Sequence, residues 1–217
     1  MLETLLPAEV RIRKLSEEVD PALLYPEEAA CIAAAVPARR REFAQGRLCA
    51  RRALADLEIR HFPLLAGKDR APIWPPGVVG SLTHCGGICA AAVARADRIA
   101  GVGIDIESAE PLGDDLLRLV CVPAERARLD ASPESSRGLR AKLLFSAKES
   151  VFKCFHPLTG VFLDFLDCEI TIDDDAGDFI AVLSHPQLPE TLRGTDLRGR
   201  FARDSRHLFT GIACPRP

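Results

Sequence analysis

Two short segments decide the fold of this chain: Gly101-Val102-Gly103-Ile104-Asp105-Ile106-Glu107 and Phe145-Ser146-Ala147-Lys148-Glu149-Ser150-Val151-Phe152-Lys153. In the first segment, apolar residues alternate with Gly103, Asp105 and Glu107, a period of two that is typical of a strand with one buried face. Both carboxylates are therefore predicted to point the same way. In the second segment, Glu149 and Lys153 stand four residues apart, where side chains on one helix face are neighbours. The sequence thus predicts that three carboxylates and a lysine converge on one place.

This predicted cluster has the chemistry of a metal site. Mg²⁺ prefers hard oxygen ligands, and it typically binds a few carboxylates, waters and a substrate phosphate. We therefore expect Asp105, Glu107 and Glu149 to hold Mg²⁺. Taken separately, Asp105 and Glu107 also fit a strand with a solvated acidic face. Glu149 and Lys153 also fit an ordinary helical ion pair worth about 0.2–0.5 kcal/mol, and it is the co-occurrence of the two segments that favours the metal site.

The composition is that of a compact protein without a broad basic surface. The chain has 217 residues, 47% of them hydrophobic, so it can bury the core of one large or two small domains. The formal net charge of −3 argues against a general nucleic-acid binder, which would carry a basic excess. Met1–Pro7 include an acidic residue and no long apolar run, and no segment reaches the roughly 18 apolar residues of a membrane helix. We expect neither a signal peptide nor a membrane span, and hence a cytoplasmic protein.

The eight cysteines suggest a disulfide or zinc interpretation, since their number is even. However, no C-x-x-C pair occurs, and Cys85 and Cys89 lack a second ligand pair at zinc-finger spacing. Most of the cysteines lie among apolar residues. This placement favours buried, reduced thiols.

A helix is predicted from about Pro37 to Leu57, because proline suits an opening turn and apolar residues recur along one stripe. Arg47 falls in register with this apolar stripe, a position that needs an explanation. Arg51 lies one turn further along and Arg39 two turns back, so these like charges would repel mildly unless an anion lies between them. The simpler interpretation is a solvated basic face, with Arg47 reaching solvent at its edge.

The remaining pattern predicts a loop, several strands and a further helix. Residues 62–80 read as a loop rich in proline and glycine, in which Lys68 and Arg70 supply positive charge. Residues 80–94 read as two short strands with His84 at the turn between them. A helix is predicted over residues of about 137–155, and strands are predicted around 168–172, 179–183, 197–202 and 207–213.

The two opening segments resemble the signature of the 4′-phosphopantetheinyl transferase superfamily, a G-[IV]-D-x-E strand and a [WF]-[SCT]-x-K-E-[AS]-x-x-K helix. Three further segments extend the resemblance: Arg47-Leu48-Cys49-Ala50-Arg51, Pro72-Ile73-Trp74-Pro75 and Gly80-Ser81-Leu82-Thr83-His84-Cys85. Together they are similar to the bacterial branch that includes the enterobactin-synthesis enzyme and the actinobacterial carrier-protein activator. The five motifs occur in order over residues of about 39 to 165, whereas one such motif alone would prove little.

The resemblance implies an α+β fold, a pseudo-twofold pair of subdomains that each pack a helix on a small antiparallel sheet. Residues 1–100 would form the N-terminal subdomain and residues 101–217 the C-terminal subdomain, with coenzyme A in the cleft between them. The sequence shows no internal repeat that would support this arrangement independently.

The resemblance also implies roles for individual residues. The nucleotide and the 3′-phosphate of coenzyme A would be held by Arg39, Arg47, Lys68, Arg70, Thr83 and His84. Lys148 would face the phosphates from the C-terminal subdomain. The metal held by Asp105, Glu107 and Glu149 would be Mg²⁺, or Mn²⁺ in its stead, and it would neutralise charge as the phosphoanhydride breaks.

The implied reaction transfers the 4′-phosphopantetheine group of coenzyme A to a serine of an apo acyl, aryl or peptidyl carrier protein and releases 3′,5′-ADP. Glu149 or Glu107 is the candidate base for the serine hydroxyl, and Glu149 ranks first. Lys153 would stabilise or protonate the leaving group. Two other functions remain open: a non-catalytic relative that only binds coenzyme A, and a Mg²⁺-dependent phosphohydrolase of nucleotides.

The expected partners follow from this reaction. They are coenzyme A and the carrier proteins of nonribosomal peptide synthases (siderophore synthesis included), polyketide synthases or fatty-acid synthases. We expect a monomer without nucleic-acid or membrane partners. The sequence does not identify the carrier, because partner choice depends on surface shape rather than on a motif.

Overall fold

The computed structural model describes residues 1–67 and 70–216 of the chain. Its helices are α1 (Pro26–Cys31), α2 (Pro37–Ala55), α3 (Leu117–Val120), α4 (Pro123–Asp130) and α5 (Glu134–Thr159). Its strands are β1 (Arg11–Leu15), β2 (Val78–Cys85), β3 (Ile88–Arg95), β4 (Ile99–Ser108), β5 (Cys168–Asp173), β6 (Asp178–Leu183), β7 (Asp196–Arg203) and β8 (His207–Pro215). Proline opens α1, α2 and α4, where the amide hydrogen that proline lacks would have no helical partner.

Two compact units divide these elements. The N-terminal unit contains residues 7–102 and the segment that begins at Cys214, and the C-terminal unit contains residues 1–6 and 103–213. The first residues are tied into the C-terminal unit, since Arg200 Nη1 donates a hydrogen bond to the carbonyl of Thr4 at 2.7 Å. Along the chain, β4 begins in the N-terminal unit and continues into the C-terminal unit.

The N-terminal unit packs α2 on a three-stranded antiparallel sheet with the strand order β1-β3-β2. The central strand β3 presents small, fully buried residues from Ala90 to Ala94. On one face of this strand, Ala91 and Val93 pack in the same cluster as Cys49, Ala50 and Ala53 of α2. Because the side chains are small on both surfaces, helix and sheet approach closely. The predicted helix is confirmed, although it ends at Ala55 rather than at residue 57.

The C-terminal unit packs α5 on a five-stranded sheet with the order β4-β8-β7-β6-β5, in which the pairs from β5 to β8 are antiparallel. The predicted strands are confirmed, and α5 is longer at both ends than predicted. It ends at Thr159, and the following Gly160 has a φ of 67°, the left-handed conformation that glycine favours after a helix. The α+β class is confirmed, since each unit packs a helix on a small antiparallel sheet.

Gly103 allows α5 to lie directly on β4. A Cβ atom at this position would lie 1.8 Å from the carbonyl oxygen of Ser150 and 2.8 Å from the backbone nitrogen of Cys154. The close approach buries Asp105, which is 3% exposed. The interpretation of β4 as a strand with a solvated acidic face is therefore wrong for Asp105.

Two further expectations concern the state of the cysteines and membrane-spanning helices. The eight cysteines are free thiols, and most are buried as predicted, although Cys31 is exposed. Among the residues that the structure describes, no helix combines the length and the apolar composition needed to cross a membrane.

Candidate active site

Asp105 is part of a buried polar cluster in the C-terminal unit. Its Oδ2 accepts a hydrogen bond from the hydroxyl of Ser146 at 2.8 Å, and its Oδ1 accepts one from Nζ of Lys153 at 2.6 Å. The hydroxyl oxygen of Thr210 on β8 lies 3.0 Å from that of Ser146, and Thr210 donates to the Ser146 carbonyl at 2.9 Å. A hydroxyl and a cation from α5 thus hold the Asp105 carboxylate in place.

Two further carboxylates belong to the same cluster. Oε2 of Glu149 lies 3.8 Å from Nζ of Lys153, one helical turn away. Oε2 of Glu107 accepts a hydrogen bond from Nζ of Lys142 at 3.3 Å. The structure therefore brings the four residues of the predicted metal and catalytic set into one group of interacting charges.

Sequence reasoning missed two members of this cluster, Lys142 and Ser146. A signal for them exists, because they share with Glu149 and Lys153 the positions i, i+4, i+7 and i+11, which lie on one face of a helix. The sequence did not show that this polar face of α5 packs on β4 instead of facing water.

Negative charge is in excess within the cluster. Burial, and then the neighbouring Asp105 carboxylate, raises the pKa of Glu107. Burial also raises the pKa of Glu149, although the nearby Lys153 ammonium acts in the opposite direction. In both groups, the cost of burying the ionised carboxylate outweighs the effect of the nearby ammonium groups on the pKa.

This environment fits a small divalent cation. The three carboxylates offer hard oxygen donors of the kind that Mg²⁺ prefers. An added cation would favour the ionised forms of Glu107 and Glu149, whose pKa values are raised by burial and, to a smaller extent, by the neighbouring carboxylates. Within residues 1–67 and 70–216, however, no three histidine, cysteine or carboxylate side chains are placed so that they could together hold a metal ion, so the metal assignment rests on the type of donor and not on ligand geometry. The Lys153 ammonium is the positive charge that the structure places beside Asp105.

Glu149→Gln is expected to gain thermal stability relative to wild type as the pH rises from about 4.5 to neutral, without added metal. The raised pKa means that the folded protein binds this proton more tightly than the unfolded chain does, so wild-type stability falls as the pH rises from the ordinary value of 4.5 through the raised one. Glutamine cannot ionise and escapes this loss. Thermal melts of both proteins across this range test the shift, and a constant difference in Tm would contradict it.

A cavity of about 220 Å³ opens beside Glu149 in the C-terminal unit. The ring of Phe152 meets that of Phe162 edge to face, with their centroids 5.3 Å apart. The remaining wall is mostly apolar and includes Val151, Leu163, Phe165 and Cys168. A carboxylate at the edge of an apolar cavity suits a ligand that has an apolar stem and a reacting polar group.

Lys148 does not take the position that the sequence predicted for it. Its Nζ is buried and donates to Oε2 of Glu125 at 2.7 Å, to the carbonyl of Val120 at 2.7 Å and to the carbonyl of Phe165 at 2.9 Å. An ammonium group has three hydrogens, and these acceptors use all of them. The structure thus corrects the expectation that Lys148 faces a phosphate.

In the N-terminal unit, Glu42 brings two of the predicted phosphate ligands together. Its Oε2 lies 3.2 Å from Nη1 of Arg39 and 3.5 Å from Nε2 of His84. All three side chains are about half exposed. Sequence reasoning missed Glu42, although its spacing of three from Arg39 is the spacing of helix neighbours.

Arg47 has a structural environment that explains its place in the apolar stripe. Its side chain is buried, its Nε donates to the carbonyl of Leu64 at 2.7 Å, and its guanidinium carbon lies 3.7 Å from the centre of the Phe43 ring. Burial lowers its pKa to about 10. The interpretation of Arg47 as a side chain that reaches solvent at the edge of a basic face is therefore wrong.

The other predicted nucleotide ligands are less closely grouped. Thr83 and His84 are successive residues of β2, so their side chains point to opposite faces, and Thr83 is buried while His84 is exposed. Arg70 is exposed, has a φ of 67°, and donates its backbone N–H to the carbonyl of Gly67. Lys68 lies outside the described residues.

Comparison with known proteins identifies the family of this chain. Residues 27–94 match the model of the 4′-phosphopantetheinyl transferase N-terminal domain, and residues 101–203 match that of the 4′-phosphopantetheinyl transferase superfamily. Over 201 residues the chain is 48% identical to 4′-phosphopantetheinyl transferase Svp of Streptomyces mobaraensis, a match that covers 91% of this chain and 82% of the relative. It is 39% identical over 198 residues to 4′-phosphopantetheinyl transferase PptT of Mycobacterium tuberculosis, with 86% and 84% covered. A chain with matches of this extent and with these acidic and basic side chains belongs to the 4′-phosphopantetheinyl transferase superfamily.

Proposed function

We propose that this transferase moves the 4′-phosphopantetheine group of coenzyme A to the hydroxyl of a serine in an apo carrier protein. The observation that carries the proposal is the cluster of Asp105, Glu149 and Lys153 at the edge of an apolar cavity. The cluster offers a base and a proton donor for phosphoryl transfer. The cavity offers a place for the methylene and methyl groups of the pantetheine stem.

The serine oxygen forms a bond to the phosphorus on the pantetheine side, and the phosphoanhydride bond to 3′,5′-ADP breaks. Glu149 takes the serine proton, because its raised pKa makes it a better base than an ordinary carboxylate. Glu107 is the second candidate for this role. Lys153 stabilises or protonates the leaving phosphate, where negative charge develops as the bond breaks.

Asp105, Glu107 and Glu149 would hold Mg²⁺ or Mn²⁺, which supplies charge neutralisation on the pyrophosphate. The hydrogen bond from Ser146 to Asp105 fixes the orientation of one of these carboxylates. Buried side chains that are oriented before substrate arrives need little reorganisation during the reaction.

The basic side chains of the N-terminal unit would hold the nucleotide. Arg39 and His84, which meet at Glu42, are exposed members of this set, as is Arg70. The Nε of Arg47 donates to the carbonyl of Leu64, and its guanidinium has two further nitrogens, Nη1 and Nη2. Arg70, Lys68 and Thr83 complete the proposed set.

Incubation with coenzyme A, an apo carrier protein and Mg²⁺ tests the proposed function. Mass spectrometry is expected to show the phosphopantetheine adduct on the carrier serine, loss of the adduct after chelation, and its return when Mg²⁺ or Mn²⁺ is added back. Binding of coenzyme A without transfer would instead favour the non-catalytic relative. Release of 3′,5′-ADP without a modified carrier would favour a phosphohydrolase. Full activity after chelation would refute the metal assignment.

We also propose a cytoplasmic monomer whose carriers belong to nonribosomal peptide, polyketide or fatty-acid synthases. A net charge of −3 supports the absence of a nucleic-acid partner. Light scattering of the purified protein measures the oligomeric state, and trials with one carrier of each class identify the preferred partner.

Arg47→Ala is expected to lose much of the discrimination between coenzyme A and dephospho-coenzyme A. A charge-assisted hydrogen bond to the 3′-phosphate is worth about 1.5–3 kcal/mol, so the wild type should bind coenzyme A roughly 10- to 150-fold more tightly than dephospho-coenzyme A. Calorimetry with both ligands and both proteins gives the coupling between side chain and phosphate. Arg52→Ala is the control, since Arg52 lies on the same helix and pairs at the surface with Glu17. Equal discrimination by wild type and Arg47→Ala would leave Arg47 with its structural role alone.

A further inference from the structure

The buried pair of Lys148 and Glu125 connects the main elements of the C-terminal unit. Both side chains are at most 1% exposed, and their charged atoms lie 2.7 Å apart. Glu125 also accepts hydrogen bonds from the backbone N–H groups of Val122 at 2.8 Å and Ile170 at 2.7 Å. One ion pair therefore joins the start of α4, the middle of α5 and the first residues of β5.

Lys148 of this pair also lines the cavity beside Glu149. Lys148 belongs to the cavity wall on α5, and its hydrogen bond to the Phe165 carbonyl joins it to a second wall, which residues 162–165 form. The length of that bond sets how far the two walls stand apart. Glu125 neutralises the buried ammonium and accepts one of its hydrogens, and so keeps it oriented toward Phe165.

The N-terminal unit contains a second copy of this arrangement. Glu28 is buried, accepts hydrogen bonds from the backbone N–H groups of Tyr25 at 3.0 Å and Leu64 at 2.9 Å, and pairs with Arg51 at 2.5 Å. In each unit the carboxylate is the third residue of a short helix that opens with proline, and the cation follows 23 residues later on the long helix. The chain therefore contains an internal repeat that the sequence analysis did not find.

The two copies differ in their surroundings. Arg51 also donates from its Nη1 to the carbonyl of Leu23, and no residue of the N-terminal copy lines the cavity of the C-terminal unit. Each copy of the repeat thus contains a buried carboxylate–cation pair. In the C-terminal unit, the cation of this pair also donates a hydrogen bond to a residue of the cavity wall.

We propose that Glu125 is a positioning residue for the cavity, acting through Lys148 to set the separation of α5 from residues 162–165. The inference rests on the proposed function, in which this cavity receives the pantetheine stem of coenzyme A. Disturbing the pair should weaken binding of the stem and leave binding of the nucleotide almost unchanged.

The test removes both charges together, because a single change would leave the other charge buried and unpaired, which is strongly destabilising. The variant Glu125→Gln with Lys148→Met keeps the side-chain sizes and an amide oxygen for Ile170. It loses the hydrogen bond to Phe165. The matched control is Glu28→Gln with Arg51→Met, which removes the equivalent pair of the N-terminal unit.

Calorimetry measures Kd for coenzyme A and for 3′,5′-ADP, which lacks the phosphopantetheine part. The ratio of Kd for 3′,5′-ADP to Kd for coenzyme A reports the contribution of that part alone. We expect the ratio to fall roughly 10-fold in the Glu125/Lys148 variant and to stay within about twofold of wild type in the Glu28/Arg51 variant. An equal fall in both variants would show a general effect of lost stability and would overturn the proposal.

A second variant keeps the test independent of whether the double variant folds. Glu125→Asp retains both charges and shortens the reach by one methylene, so Lys148 must shift away from Phe165 to keep its partner. The ratio is expected to fall about threefold, and an unchanged ratio in the folded Glu125→Asp protein would contradict the positioning role. If wild type itself binds coenzyme A and 3′,5′-ADP equally, the cavity does not receive the pantetheine stem. That result would contradict the proposed function, whereas an unchanged ratio in the variants would contradict only the positioning role.

Discussion

Gly103→Ala is expected to abolish most transfer activity and to destabilise the C-terminal unit. The added Cβ would lie 1.8 Å from the carbonyl oxygen of Ser150 and 2.8 Å from the backbone nitrogen of Cys154. These are backbone atoms of α5, so a rotamer change cannot relieve the clash and the helix must move away from β4. Overpacking of this kind costs about 3 kcal/mol or more.

The displacement would also separate the catalytic groups. Lys153 and Ser146 reach Asp105 across the same contact, at 2.6 and 2.8 Å. A misplacement of about 1 Å can cost roughly 10² in rate, so the transfer rate should fall at least that far even in the protein that remains folded. Thermal melts and single-turnover transfer measure the two effects separately.

Gly46→Ala is the matched control for this substitution. A Cβ at Gly46 would meet only the sulfur of Cys89 at 4.0 Å, an ordinary contact. Alanine in a helix is favoured over glycine by about 1 kcal/mol, so the control should keep or raise Tm. If Gly103→Ala keeps its Tm and transfer rate as Gly46→Ala does, the cluster does not depend on the close contact between α5 and β4.

Glu149→Gln and Lys153→Ala are expected to lower kcat roughly 10²-fold or more, with a smaller effect on coenzyme A binding. Glu149 is the proposed base, and glutamine cannot accept the serine proton. Lys153 is the proposed partner of the leaving phosphate, and it also neutralises the buried Asp105 carboxylate. Initial-rate kinetics, together with calorimetric binding of coenzyme A, separate kcat from affinity.

The control for both variants is Glu134→Gln, which removes an exposed carboxylate from the first turn of α5. It should leave kcat unchanged. A rise in KM alone, without a fall in kcat, would make Glu149 or Lys153 a binding group. A large fall in Tm for Lys153→Ala would show that its pairing with Asp105 also supports the fold.

The sequence by itself determined the local elements and the family. Alternation in β4 and the helical spacing of Glu149 and Lys153 were sufficient because both patterns depend only on residues that are near in sequence. The helix at Pro37, the hairpin of β5 and β6 and the α+β class follow from the same kind of local signal. Five ordered motifs identified the transferase superfamily.

Only the tertiary structure decided which charged side chains are buried and which protein groups they bond to. Lys148 and Lys153 lie on the same helix, yet Lys148 is saturated by Val120, Glu125 and Phe165 while Lys153 meets Asp105. Arg47 likewise looked exposed and is buried. These acceptors lie 17 to 48 residues away along the chain. Burial and hydrogen bonding are set by segments that meet only when the chain has folded, and no periodicity within one helix records which partner will face it.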